Sequence, residues 1–255
     1  MSVSFPHATA VWRRNFAMYA RTWKFNLLPN FFEPVFYLAS LGIGVGSYIT
    51  EMGGVSYIQF LAPGIVCMAA MNGASFEVTY NTFVRLNIEK AYDLMLTTPV
   101  EADDVLIGEL MWALTRVMLY GGIFYLATVL FGLAPLPGSL ATLFVIPVTG
   151  LLFGALGLAF TLRIPNLDLF SFYFTLFLTP LFLFSGVFFP LEERLSGVWL
   201  WVAEATPLLH PVRLARMSYL SSWSPIAWWD GAYCLVVSAL LLFDARRSLR
   251  AKLEL

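Results

Sequence analysis

Ionisable side chains standing inside apolar runs are where any chemistry of this chain would sit. Glu33 opens one such run, directly before Pro34, and Glu77 lies late in another, with Asn72 a little over one helical turn before it. Glu109 and Arg116 fall two helical turns apart on one face of a third run, and Asp230 lies near the start of the last. A charge in hydrocarbon is expensive, so each such group is paired, sits at a polar boundary, or lines a path for a polar ligand. For Glu109 and Arg116 the plain expectation is an internal ion pair or a reach toward the surface. For Glu77 and Asp230 it is a place at the membrane boundary.

Catalysis finds no footing. No phosphate-cradling Gly, four residues, Gly-Lys-Ser/Thr loop occurs, so this chain is not expected to bind ATP by that route. His7 and His210 are the only histidines, and no pair of His or Cys has metal-ligand spacing. Cys67 and Cys234 lie within apolar runs, where cysteine packs as a small apolar side chain rather than as a disulfide or metal framework. No serine or cysteine has a convincing base nearby. The expectation is a non-enzyme with no catalytic or metal site and no cofactor of its own.

The elements that must position these groups follow from composition. Of 255 residues, 59% are hydrophobic and 12% charged, more apolar than a water-soluble domain of this length can cover. A bilayer core of about 30 Å needs about 20 apolar helical residues. Six stretches qualify: about Leu28 to Ile49, Tyr57 to Tyr80, Val105 to Phe131, Leu140 to Leu162, Leu167 to Pro190 and Ile226 to Phe243. They are too long and uniformly apolar for barrel strands. The predicted fold is an all-α membrane protein, one domain over 1–255, with spans one to five in about 28–190 and span six in about 226–243. No cleavable signal peptide is expected; the first span would direct insertion.

Lys and Arg place the ends. With six spans, one side receives Arg13, Arg14, Arg21, Lys24, Arg85, Lys90, Arg163, Arg246, Arg247, Arg250 and Lys252, and the other only Arg194, Arg213 and Arg216. The positive-inside rule then puts both termini in the cytoplasm. Trp12, Phe16, Tyr19 and Trp23 recur at helical spacing among basic residues, which predicts an amphipathic interfacial helix over about 5–26. The cytoplasmic connection RLNIEKAYDLMLTTPVEADD reads as a short surface helix stopped by Pro99. The external segment of about 191–225 is too apolar for a free loop, is interrupted at Pro207 and Pro211, and is expected to form short re-entrant helices. The fifth run, FSFYFTLFLTPLFLFSGVFFP, stacks aromatics around Pro180, with Gly186 allowing a bend. Such a wall is either packing or the side of a path for a sugar or acyl chain.

Four segments then carry a resemblance: FLAPGIVCMAAMNGASFEVTYNTFVRL (60–86), YDLMLTTPVEADDVLIGELMWALTR (92–116), PLFLFSGVFFPL (180–191) and ATPLLHPVRLARM (205–217). In this order they resemble the type-2 ABC exporter permeases, most closely the NodJ-like branch that exports nodulation factors. The resemblance implies a permease subunit of an ATP-driven exporter in the bacterial inner membrane, moving an amphiphile such as a lipo-oligosaccharide, glycolipid or lipid-linked glycan outward. A multidrug or toxin exporter and a non-transporting scaffold for an ATPase are the alternatives. The implied partners are a separate ABC ATP-binding subunit that holds ATP and Mg, a second permease copy (a homodimer) and membrane lipids; no nucleic acid is expected. The resemblance implies an ATPase-coupling surface at Arg85, Glu89, Lys90, Tyr92 and Asp93. It implies a substrate path along spans one, two and five, with Phe32, Glu33, Tyr37, Phe60, Asn72, Glu77, Phe172, Tyr173, Phe177 and Phe182. Pro207, His210 and Arg213 would form an external cap.

Overall fold

The computed structural model describes residues 3–49, 51–191 and 196–253; the side chains of residues 25–31, 33, 34 and 43 lie outside the described set. Helix α1 (Phe5–Ser40) is followed by a π turn over Leu41–Val45. A two-stranded antiparallel hairpin pairs Glu51–Met52 with Val55–Ser56. Its turn is Gly53-Gly54, both at positive φ (60° and 79°), a geometry suited to glycine. Then come α2 (Tyr57–Ile88), α3 (Ala91–Leu96), α4 (Ala102–Leu130) and α5 (Gly138–Thr161). The chain continues through α6 (Leu167–Leu183), α7 (Val198–Glu204), α8 (Leu209–Leu220) and α9 (Ile226–Leu253).

Local chemistry sets the helix ends. At the start of α2 the Gln59 side-chain oxygen accepts from the Ser56 amide (3.3 Å) and hydroxyl (2.9 Å), closing a capping box. Asp103 and Asp104 place negative charge in the first turn of α4, where the helix dipole favours it. Lys90 adopts the left-handed conformation (φ 50°) and turns the chain sharply from α2 into α3. Pro211 does not break a helix as expected. It sits in the first turn of α8, where a backbone N–H has no helical partner.

By length and composition α2, α4, α5 and α9 can each cross a bilayer. α2 is central and buried along most of its length, packed between α4 and α5, while α9 lies outermost against α5. The other two expected spans fall on α1 and α6. The predicted interfacial helix and first span form one unbroken helix that runs on through Pro29 and Pro34. α6 is shorter than predicted. A π turn over Tyr173–Leu178 precedes Pro180, where the ladder loses a donor, and the helix stops at Leu183, ahead of Gly186 at φ 76°.

Small residues let the helices approach closely. A Cβ on Gly108 of α4 would stand 2.7 Å from the Ala8 carbonyl oxygen and 2.5 Å from Val11 of α1. Gly108→Val is therefore expected to cost about 1–3 kcal/mol by overpacking. Gly122→Val, with nothing within 4 Å of the new carbon, serves as the control. Equal thermal midpoints for the two variants in detergent would mean that α1 does not pack on α4 at this point.

Candidate functional site

The end of the molecule that carries α3 holds a buried charge network. Glu77 stands on a π turn of α2 and Arg85 on the last turns of the same helix. Glu109 and Arg116 project from α4. The pair expected between Glu109 and Arg116 is replaced by a crosswise arrangement. Arg85 Nη2 donates to Glu109 Oε2 (2.6 Å) and to Glu77 Oε1 (2.8 Å), and Arg116 Nη1 lies 3.4 Å from Glu77 Oε2. Asn15 of α1 donates to Glu109 Oε1 (3.0 Å), and Asn81 to Glu77 Oε2 (2.8 Å). Two cations and two anions thus balance, with both carboxylates almost fully removed from solvent. Arg116 lies between the rings of Tyr19 (4.6 Å) and Tyr120 (4.8 Å) and also donates to the Tyr120 hydroxyl. A cavity of about 330 Å³ opens beside it, lined by Asn15, Tyr19, Glu77, Arg85, Trp112 and Arg116 among others.

Of the five residues assigned to the coupling surface, Arg85 and Tyr92 are buried and Glu89, Lys90 and Asp93 are exposed. Tyr92 of α3 is buried in an apolar cluster with Val11 of α1, Leu86 of α2 and Val105 of α4. Burial, and then the nearby Glu109 carboxylate, push its hydroxyl well above the usual tyrosine range, so it stays a neutral phenol. Glu89 lies 3.5 Å from Arg14 of α1. The two acids opening α4 tie down both ends of the chain. Asp104 accepts from the Ser4 amide (2.7 Å) and meets His7 Nδ1 (3.3 Å). Asp103 accepts from Arg250 (2.7 and 3.0 Å) and from Arg246. Sequence reading missed both acids, though each stands at a helix start where a carboxylate has partners.

A groove runs between α1, α2 and α6. Its cavity of about 290 Å³ is lined by Tyr37, Met68, Met71, Asn72, Phe76, Phe174, Leu178, Thr179 and Phe182. A second cavity of about 610 Å³ shares Tyr37 and adds Phe36, Ser40, Leu41 and Phe188. Phe76 and Phe174 stack at 4.5 Å, with Tyr80 on both, so aromatics of α2 and α6 form one wall. Of the residues assigned to the path, the groove gathers Tyr37, Asn72 and Phe182. Phe32, Phe172 and Phe177 are exposed elsewhere on α1 and α6. Phe60 and Tyr173 are buried, Phe60 under Arg216 (3.9 Å to the ring) and Tyr173 beside the Ser75 hydroxyl (3.3 Å). Glu77 belongs to the charge network, and the side chain of Glu33 lies outside the described residues. Phe174 belonged to the aromatic run read as a possible wall but not to the assigned path residues, and Phe76 of α2 was missed.

At the opposite end α7, α8 and α9 meet around Asp230. Its carboxylate, fully buried, accepts from His210 Nδ1 (2.8 Å), Arg213 Nε (2.9 Å) and Arg213 Nη2 (2.6 Å). Arg213 also holds Glu204 (2.6 and 3.0 Å). The second ring nitrogen of His210 lies 2.9 Å from the Glu204 carbonyl oxygen, and its ring stacks on Tyr233 at 3.7 Å. His210 and Arg213 thus share one cluster, whereas Pro207 lies in the break between α7 and α8. Asp230, expected at the boundary, is the centre of the cluster, and Glu204 was missed. An acid in an apolar run was the available signal. Cys67 and Cys234 are both buried and unbridged, as expected of packing cysteines.

Membrane-length helices, buried charges that answer one another, and an aromatic groove define an integral membrane protein of the all-α class. The profile of the ABC-2 type transporter family matches residues 7–220, and the chain belongs to that family. It is 36% identical to nodulation protein J of Sinorhizobium fredii over 92% of this chain and 87% of the relative. It is 38% identical to nodulation protein J of Rhizobium leguminosarum bv. trifolii over 81% and 79%, and 24% identical to the inner membrane transport permease YadH of Escherichia coli over 83% and 82%. The resemblance read from the four sequence segments is thereby established.

Proposed function

We propose that the chain is the transmembrane permease subunit of an ATP-driven exporter in the bacterial inner membrane. It crosses six times, with α1 and α6 completing the four longer spans and both termini in the cytoplasm. A separate ABC ATP-binding subunit, carrying ATP and Mg, docks on α3. A second copy of the chain faces the groove between α1, α2 and α6, through which an amphiphile such as a lipo-oligosaccharide or glycolipid moves outward. The helices α7 and α8 re-enter the outer half of the membrane and cap the path.

One observation carries this reading. α3 shows Asp93, with Glu89 and Lys90 just before it, to the outside, while its Tyr92 is buried in an apolar cluster with Val11 of α1, Leu86 of α2 and Val105 of α4. A push on α3 by a closing ATP-binding dimer would be transmitted through Tyr92 to three helices at once. Relatives named as nodulation protein J and as an inner membrane transport permease support the export class.

The test is reconstitution with the ATP-binding subunit and measurement of ATPase stimulation by glycolipids, lipids and drugs. Reversing both exposed charges, Lys90→Glu with Asp93→Lys, is expected to lower stimulated ATPase about tenfold, with a thermal midpoint within roughly 2 °C of the parent. Unchanged stimulation and assembly in that variant would place the docking surface elsewhere. A complex without stimulation would favour a non-transporting scaffold, and no complex with the parent chain would favour another partner.

A further inference from the structure

α9 is longer than a membrane crossing needs: its 28 residues rise about 42 Å against a bilayer core of about 30 Å. Beyond the apolar run that ends at Phe243, its last turns reach the α3 end of the molecule. Arg246 and Arg250, one helical turn apart, both bind Asp103 in the first turn of α4. Arg246 Nε and Arg250 Nε donate to Asp103 Oδ1 (2.7 and 3.0 Å), Arg250 Nη2 donates to Oδ2 (2.7 Å), and Arg246 Nη2 reaches the same oxygen. Next to the two arginines, Ala245 and Leu249 are buried in the apolar cluster that holds Tyr92 of α3 and Val105 and Leu106 of α4. Residues 97–101 alone separate α3 from α4, and α9 packs along α5.

We propose that Asp103 is a positioning residue of the coupling step: its clamp on Arg246 and Arg250 carries a displacement of α3 into α9, and through α9 to α5. The inference rests on the reading that an ATP-binding subunit pushes on α3, and adds the last helix to the elements that move. The apolar contacts of Ala245 and Leu249 resist approach but allow sliding. Two guanidiniums on one buried carboxylate fix direction as well as distance, because each N–H must stay aligned with its oxygen. The clamp therefore transmits the pull of a return stroke as well as a push. Asp103 lies outside the groove and acts through α9.

The complex of the full chain with the ATP-binding subunit, in nanodiscs, is labelled with bimane at a single cysteine per chain, Cys67 and Cys234 being replaced by alanine. Thr98→Cys reports on the end of α3 and Lys252→Cys on the end of α9; both positions are exposed. Trapping with ATP and vanadate is expected to change bimane emission at both. Adding Asp103→Asn should leave the change at the α3 reporter and shrink that at the α9 reporter about threefold or more. Arg246→Gln with Arg250→Gln, on the partly exposed side of the clamp, should do the same, so the outcome does not hang on the folding of one variant. A parent complex that responds at the α3 reporter but not at the α9 reporter overturns the inference and leaves the coupling reading standing. An α9 response of equal size with the clamp intact and removed does likewise. No response at the α3 reporter in the parent overturns the coupling reading, and the inference with it.

Discussion

Arg85→Ala is expected to lower the stability of the folded protein by about 3–5 kcal/mol, a fall in thermal midpoint of roughly 6–20 °C. The substitution also removes the buried aliphatic stem of Arg85, so the charge contribution is separated from packing by the double variant described next. Arg85 is the only described cation within bonding distance of Glu109, and it is also the shorter of the two ion contacts of Glu77. Without it two carboxylates remain almost fully buried, with Arg116 at 3.4 Å from one of them. Ionised and unpaired, or protonated, either state is costly relative to the parent. Pairing Arg85→Ala with Glu109→Gln should therefore recover more than half of the loss, since the amide still accepts from Asn15 and no longer strands a charge. Midpoints from detergent-solubilised protein, followed by size-exclusion chromatography after heating, decide the matter. A single variant within a degree or two of the parent, or a double variant worse than the single, would refute the crosswise network.

At the other end of the molecule Asp230→Asn should cost about 3 kcal/mol and loosen α7 from α8 and α9. The asparagine side chain keeps the size of the aspartate but accepts through one oxygen where the carboxylate used two. Arg213 then keeps the Glu204 carboxylate but loses its two bonds to Asp230, and His210 loses the anion against its Nδ1. Because Glu204 lies at the end of α7 and Asp230 in α9, weakening their shared arginine frees the short helix from the long one. A reporter cysteine at Ala203, buried at 5% exposure, makes the consequence measurable. In Ala203→Cys alone, reaction with a membrane-impermeant maleimide should be slow; adding Asp230→Asn should speed it about tenfold. Native Cys67 and Cys234 are buried and are replaced by alanine for this assay. Equal labelling rates with and without Asp230→Asn would show that the cluster does not hold α7 in place.

Much of the architecture was legible along the chain, and the reasons are visible in particular residues. The runs from Tyr57, Val105, Leu140 and Ile226 became α2, α4, α5 and α9 because a bilayer-length apolar stretch has no stable state other than a helix. The short helix ahead of Pro99 also stands where the sequence put it, as α3. Boundaries that depend on backbone detail were less legible. The hairpin at Gly53-Gly54 is too short to leave a strand pattern, and the end of α6 at Leu183 depends on how Gly186 turns toward the Arg216 guanidinium, which donates to its carbonyl (2.7 Å). Within the candidate sites the division is sharper. The identity of Glu77, Glu109, Arg116 and Asp230 was plain from their being polar in apolar surroundings, whereas His210 and Arg213 entered through the family resemblance.

The amino-acid order alone thus determined that this is a helical membrane protein of the ABC-2 type, which charges lie within it, and that α3 presents a charged segment between two long helices. These are local properties: transfer free energy, helix length and motif order are each set by neighbouring residues. Only the tertiary structure decided that Glu109 binds Arg85 rather than Arg116, that Asp230 is a buried hub, and that Tyr37, Asn72 and Phe174 line one groove. Each of those depends on how helices far apart in sequence are rotated about their axes. A rotation of one residue, about 100°, would give every one of these side chains a different neighbour.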